Sequence, residues 1–257
     1  MPTTGITTLT DHELARFAAD SAGQRLLALR ARLHAADAAE LRAAGDACAQ
    51  AQLSTLLTAH RPGDAVLSEE AVDSKERLGA DRVWIIDPLD GTREFSEPPR
   101  DDWAVHVALW EAGRLTAGAV ALPARHQLLS TGDGGGSVPP LPHRRPRMLV
   151  SRTRPPHFTE QLARALDAEV VPQGSAGVKA ADVLLGSAEL YVHAGGQYEW
   201  DSAAPVAVAG AWGFHTARLN GAALTYNSPD PLLPDLVVCH PGLASRYRSA
   251  FTALGMS

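Results

Sequence analysis

Residues 83–92 read Val83-Trp84-Ile85-Ile86-Asp87-Pro88-Leu89-Asp90-Gly91-Thr92, and the fold is read outward from them. The apolar run Val83–Ile86 is short and bounded, the pattern of a buried strand. Pro88 has no N–H for a ladder, so the strand is expected to stop there. Asp87 and Asp90 are then left at the mouth of a buried strand, beside a glycine and a hydroxyl. Gly91 permits close approach of a ligand to the backbone, and its N–H with that of Thr92 could face an anion. Carboxylates and anions repel, so this grouping makes chemical sense with divalent cations between them, as in metal-assisted phosphate chemistry.

Before this motif the sequence is helical. Thr10 and Glu13 form a capping box for a helix to about residue 33, with Leu14, Phe17 and Ala18 on its trial inner face. A second helix is expected over 38–59, with Leu41, Cys48, Leu53, Leu56 and Leu57 inward. Gly45 weakens that helix by ~1 kcal/mol relative to alanine, or else its small size lets Asp46 face a ligand. Ala65–Leu67 reads as a strand leading to Ser68-Glu69-Glu70. Segment 71–81 is polar and reads as a loop or short helix.

After the motif, strands are expected at 103–110, 115–122 and 126–130, the first two joined by a hairpin turn at Glu111–Arg114. The glycine run 132–137 and the prolines at 139, 140, 142 and 146 mark a boundary between lobes. This gives 1–146 as an α+β lobe with an antiparallel sheet and most of the candidate ligands. It gives 147–257 as an α/β lobe, whose strand–helix alternation implies a largely parallel sheet.

Composition narrows the function. Apolar residues make up 45% of the 257 and charged residues 20%, as in ordinary globular domains. The net charge of −6 and the lack of a basic cluster argue against polymeric nucleic acid. No run is long enough for a membrane span, and residues 1–10 lack a secretory pattern. Cys48 and Cys239 are expected as buried free thiols in a reducing cytoplasm. The ten histidines show no ligand spacing, and His106 and His193 read as packing or surface residues.

The order Gly45-Asp46, Leu67-Ser68-Glu69-Glu70, Trp84 to Thr92, Gly174-Ser175-Ala176 with Lys179, and Glu199-Trp200-Asp201-Ser202-Ala203-Ala204 resembles the inositol monophosphatase superfamily over nearly the whole chain. Thr92-Arg93-Glu94-Phe95, Ser151-Arg152 and Tyr198-Glu199-Trp200-Asp201 are similar to its CysQ branch of 3′(2′),5′-bisphosphate nucleotidases in the actinobacterial form. The sequence departs from the family pattern at Ala43-Ala44, where threonine is common. It also departs at Ala194–Gln197, which lacks the acid that grips the inositol ring.

The resemblance implies a layered α-β-α-β-α sandwich and a lithium-sensitive phosphatase with two or three Mg²⁺ ions. It implies Glu69, Asp87, the Leu89 carbonyl, Asp90 and Asp201 as metal ligands, and Thr92 with Asp46 as the pair that orients and activates the attacking water. It implies Gly91, Thr92, Arg93, Ser151, Arg152, Ser175, Lys179, Tyr198 and Asp201 as contacts to substrate, with Arg152 and Lys179 for a second phosphate and Tyr198 or Trp200 for a base. The implied substrate is 3′-phosphoadenosine 5′-phosphate, cleaved to AMP and phosphate in sulfur assimilation. The implied assembly is a homodimer.

Inositol-1-phosphate or fructose-1,6-bisphosphate phosphatase activity is the alternative within the superfamily. A haloacid-dehalogenase nucleophile does not fit, because its aspartates are separated by one residue and these by two. A non-catalytic metal or nucleotide binder is disfavoured by the retention of all four acidic positions.

Overall fold

The computed structural model describes residues 9–134 and 137–255. Residues 1–8 of the polar amino-terminal segment, Gly135-Gly136 of the glycine run, and 256–257 lie outside that description. Two five-stranded sheets carry the fold, in the orders β1-β2-β3-β4-β5 and β7-β6-β8-β10-β9. The first is built from β1 (Ala65–Ser68), β2 (Arg82–Asp90), β3 (Ala104–Glu111), β4 (Arg114–Leu122) and β5 (Gln127–Ser130). The second is built from β6 (Arg147–Ser151), β7 (Glu169–Gln173), β8 (Leu190–Tyr198), β9 (His215–Ala217) and β10 (Leu232–Cys239).

Period-two alternation along the strands assigns the layers. Trp84, Ile86, Val105, Val107 and Leu109 face helices α1 (Asp11–Arg32) and α2 (Ala38–His60). Their alternates Val83, Ile85, Ala104 and Ala108 face α5 (Ala176–Leu184) and α6 (Glu199–Ala211). Leu149, Tyr191, Leu236 and Val238 of the second sheet close on the same two helices. Met148, Val150, Leu190, Val192 and Val237 turn outward to α4 (Thr159–Leu166) and α7 (Pro241–Ala253). The result is the expected α-β-α-β-α layering. Its central helical layer comes from the second half of the chain and packs on both sheets, so one core draws on both halves.

The second sheet is not largely parallel. β6 pairs parallel with β7 and β8, whereas β10 runs antiparallel to both β8 and β9. β10 follows β9 through a loop with no crossover helix and inserts between β9 and β8, so it runs antiparallel to both. The first sheet is antiparallel except for the parallel pair β1–β2.

Strand β2 does not end at Pro88. The register slips between Asp87 and Asp90, and pairing resumes at Asp90 opposite Ala104. Proline is accommodated at this bulge, where no ladder donor is required.

Helix α1 packs through small residues, Ala15, Ala18, Ala19 and Ala22, with Leu14 and Leu26. Phe17, expected inside, is exposed. Cys48 and Leu56 of α2 are half-buried, and Ala49 holds the inner position beside Leu53. Cys239 is buried, and both thiols are free.

Gly45 has a definite reason. A Cβ there would lie 2.8 Å from both Leu89 Cδ2 and Phe95 Cε1, so glycine allows α2 to approach the end of β2. That approach brings Asp46 up behind Thr92.

Candidate active site

β2 delivers its two aspartates through the bulge. Asp87 is buried, and its Oδ1 accepts from Leu89 N at 3.0 Å, an Asx turn that fixes the carboxylate at the strand end. Asp90 Oδ2 accepts from Ser175 Oγ at 2.5 Å and from Gly177 N at 2.7 Å, both at the start of α5. Gly91 follows with φ +85°, and a Cβ would meet the Asp102 carbonyl at 3.1 Å, so the position requires glycine on both counts. Asp201 lies in the first turn of α6, where its Oδ2 accepts from Tyr198 N at 2.6 Å. Glu69 projects from the end of β1, open to solvent on one side and enclosed by protein on the other.

Carboxylate oxygens of Asp87, Asp90 and Asp201 all lie within 4.8 Å of one another. They line a cavity of about 610 Å³ together with Glu69, Leu89, Gly91 and Thr92. Burial pushes Asp87 well above the carboxylate range, and Glu69, Asp90 and Asp201 push it further. Asp201 rises to about 8, chiefly through burial and then through Asp90. Glu69 rises to about 7 by burial, partly opposed by its hydrogen bond to Asp87. Acids this close hold protons at neutral pH unless cations replace them. The donor set consists of hard oxygens, which suits Mg²⁺-like ions.

Thr92 Oγ1 donates to the Leu89 carbonyl oxygen at 3.0 Å. Asp46 stands behind Thr92 and does not line the cavity. Burial raises Asp46 to about 6, aided by Glu70, while Arg42 and the Thr92 hydroxyl oppose the shift.

Basic residues line the same cavity. Ser151 Oγ accepts from Arg154 N at 3.1 Å and shapes the turn after β6. Arg152 lines the cavity with its guanidinium against Glu94 at 2.6 Å and Glu97 at 3.3 Å. Ser175 caps α5 by accepting from Val178 N at 3.0 Å, in addition to its bond to Asp90. Lys179 is buried, with Nζ donating to the carbonyls of Gln173, Gly174 and Ser175. Burial lowers it to about 8 despite the nearby acids. Arg93 is exposed at the rim next to Thr92.

Tyr198 does not line the cavity. Its ring stacks on Trp200 at 4.8 Å, and 41% of the residue is exposed.

Sequence reading missed four residues. His106 is buried, with Nδ1 donating to the Trp200 carbonyl at 3.1 Å and Nε2 3.3 Å from Asp90 Oδ2. His193 and Gln197 of β8 line the cavity, as does Arg154. For His106 the signal was available, since an alternating strand places it on the same face as Ala104 and Ala108, toward α5 and α6. Nothing local indicated that Ala194–Gln197 continues β8 to the site.

Fold and site together define an acidic cavity between two sheets that could hold hard cations, and the comparisons narrow its kind. The inositol monophosphatase family model matches residues 10–251, and the chain belongs to that family. It is 50% identical over 230 residues to the 3′-phosphoadenosine 5′-phosphate phosphatase of Mycobacterium bovis, covering 87% of this chain and 86% of that protein. It is 48% identical over 251 residues to the Mycobacterium leprae protein of the same name, covering 92% and 91%. Among solved structures, inositol monophosphatase II of Staphylococcus aureus superposes with a TM-score of 0.74 at 20% identity, over 93% of this chain and 94% of that one. CysQ of Bacteroides thetaiotaomicron gives 0.72 at 25% identity, over 88% and 96%. Among the described residues no helix is long and apolar enough to cross a membrane.

Proposed function

We propose that this chain is a magnesium-dependent phosphatase that hydrolyses 3′-phosphoadenosine 5′-phosphate, with water, to AMP and inorganic phosphate, in cytoplasmic sulfur metabolism. The observation that carries this reading is the convergence of Asp87, Asp90 and Asp201 within 4.8 Å, in a cavity that Arg152, Arg154 and Lys179 also line. The mycobacterial relatives, with their shared name and near-full coverage, support the choice of substrate.

Glu69, Asp87, the Leu89 carbonyl, Asp90 and Asp201 would hold two or three Mg²⁺ ions. Those ions would neutralise charge on the phosphoryl oxygens and on the attacking and leaving groups.

The protein's own groups do the rest. Thr92 orients the attacking water through its hydroxyl, and Asp46 behind it, within hydrogen-bonding reach of Thr92, holds that side chain in place for in-line attack. The backbone at Gly91 and Thr92 bounds the phosphoryl group. Ser175 and Gly177 fix one oxygen of Asp90, so that the other is presented to the cavity. Lys179 adds a buried positive charge to the cavity lining.

An inositol ring is disfavoured because the stretch Ala194–Gln197 carries no acid to grip it.

The test is phosphate release by purified protein from 3′-phosphoadenosine 5′-phosphate, inositol-1-phosphate and fructose-1,6-bisphosphate, with Mg²⁺ and with added Li⁺. Preference for the nucleotide with Li⁺ inhibition is expected. A wide preference for inositol phosphate would overturn the choice of substrate.

A further inference from the structure

His106 has no part in the chemistry assigned to the site, yet it stands beside all three clustered aspartates. In the register of β2 on β3 it is the partner of Asp87. Its Nε2 lies 3.3 Å from Asp90 Oδ2. Its Nδ1 donates at 3.1 Å to the carbonyl of Trp200, the residue before Asp201. One imidazole therefore joins ligand positions that come from β2 and from α6, far apart in the chain.

The ring's seat is specific. His106 is fully buried, and α5 presents Gly177 to it. A Cβ at Gly177 would stand 2.0 Å from Nε2, so any larger residue there would displace the ring. Glycine weakens a helix relative to alanine, and Gly177 lies inside α5, where its backbone has no need of glycine. Space for His106 is what requires it. The N–H of the same glycine donates to Asp90 Oδ2, so ring and helix meet on one oxygen.

Filling space would need no nitrogen. A buried ring nitrogen without a partner destabilises, and Nε2 makes no regular hydrogen bond among the described residues. The polar atom in front of it is Asp90 Oδ2.

We propose that His106, seated on Gly177, is a positioning residue for the cation site: it holds the Asp90 carboxylate and the first turn of α6 at a fixed separation, so that Asp90 and Asp201 face the cavity as one ligand set. The inference rests on the metal-dependent reading above. Both ring nitrogens are turned to protein atoms, so His106 is not itself a ligand. Ser175 and Gly177 hold Asp90 from α5, whereas His106 ties it to α6. No bond forms or breaks, and the role needs no change in the charge of the ring.

The test uses Mn²⁺ alone as the probe, titrated by calorimetry into metal-stripped wild type, His106→Leu, His106→Asn and His106→Gln, with chemical denaturation of each in chelator. Leucine fills the seat without either nitrogen. The asparagine amide stands near Nδ1 and the glutamine amide near Nε2, so each keeps one of the two contacts. Leucine should weaken Mn²⁺ binding roughly 10- to 100-fold, as loss of a residue that orients metal ligands does, while metal-free stability is retained. Asparagine and glutamine should each recover part of the affinity. Gly177→Ala should weaken Mn²⁺ binding in the wild-type background and add little to His106→Asn, whose shorter side chain clears the added methyl.

Wild-type Mn²⁺ affinity in His106→Leu would overturn the role, and so would an equal loss in all three variants, which would make the seat one of shape. Should the leucine variant not fold, full affinity in both amide variants would overturn it. A wild type that binds no Mn²⁺ would overturn the metal-dependent reading and the role with it.

Discussion

Ser175 Oγ donates to Asp90 Oδ2 at 2.5 Å, joining the cap of α5 in one half of the chain to the end of β2 in the other. The same serine accepts from Val178 N, so a single hydroxyl fixes both a helix terminus and a candidate metal ligand. Ser175→Ala should remove the cap at a cost of about 1 kcal/mol and leave Asp90 held only by Gly177 N. The expected outcome is a modest fall in melting temperature with a clearly weaker apparent affinity for Mg²⁺, read by titrating the metal in the phosphate-release assay. Equal Mg²⁺ dependence in variant and wild type would show that the hydroxyl does not position Asp90.

The acidic cluster makes a prediction about pH. Glu69, Asp87 and Asp201 have folded pKa values above their unfolded ones. A group of this kind stabilises the fold fully below the unfolded value and loses that contribution as pH rises through the folded value. Metal-free protein should therefore lose stability from about pH 4, where carboxyls ordinarily titrate, up to about 8, where Asp201 does. Mg²⁺ binds the ionised form, so its stabilisation should grow over the same range, with release of protons. Melting temperatures at pH 6 and pH 8, with Mg²⁺ and with chelator, would measure this. An increment from Mg²⁺ that is constant with pH would count against the cluster as its site.

Thr92 and Asp46 are assigned to the attacking water. Thr92→Val keeps the shape and removes the hydroxyl, so kcat should fall about 10²- to 10⁴-fold with little change in KM. Thr92→Ser should retain much of the rate, and Asp46→Asn should resemble the valine variant. A Thr92→Val enzyme with near wild-type kcat would exclude the assignment.

Glu199 and Asp201 are two residues apart and should fail differently. Glu199 is buried, and its carboxylate accepts from Asn227 N at 2.7 Å and Ser228 N at 2.8 Å, tying down the loop that also receives Arg77. Glu199→Ala leaves those donors unpaired and should lower stability by about 2–3 kcal/mol in chemical denaturation, with Mg²⁺ affinity nearly intact. Asp201→Asn should have the opposite profile, a folded protein with poor metal activation. A Glu199→Ala protein of wild-type stability would show that the loop is held by other contacts.

The sequence disclosed the site more fully than the sheet. The aspartates of β2, the Trp-Asp pair opening α6 and the Gly45-Asp46 step of α2 are short-range patterns, and each forces a local geometry. The direction of β10 could not be read, because strand pairing is decided by where the chain returns and leaves no mark on the strand's own alternation. The reach of β8 was hidden for a related reason. Gly195 and Gly196 look like a turn, but their positive φ values make a bend within a strand that pairs as far as Tyr198 opposite Leu232. That bend brings His193 and Gln197 into the cavity. Pro88 was misread as a strand end because a bulge can absorb a residue that lacks a donor.

The central claim is that Asp87, Asp90 and Asp201 hold the metal for cleavage of a nucleoside bisphosphate. The most direct measurement is phosphate release from 3′-phosphoadenosine 5′-phosphate as Mg²⁺ is titrated into metal-stripped protein, for wild type and for Asp90→Asn. Saturable activation in the wild type, inhibition by Li⁺ and near-complete loss in the variant are predicted. Release that persists in chelator, or that survives Asp90→Asn undiminished, would contradict it.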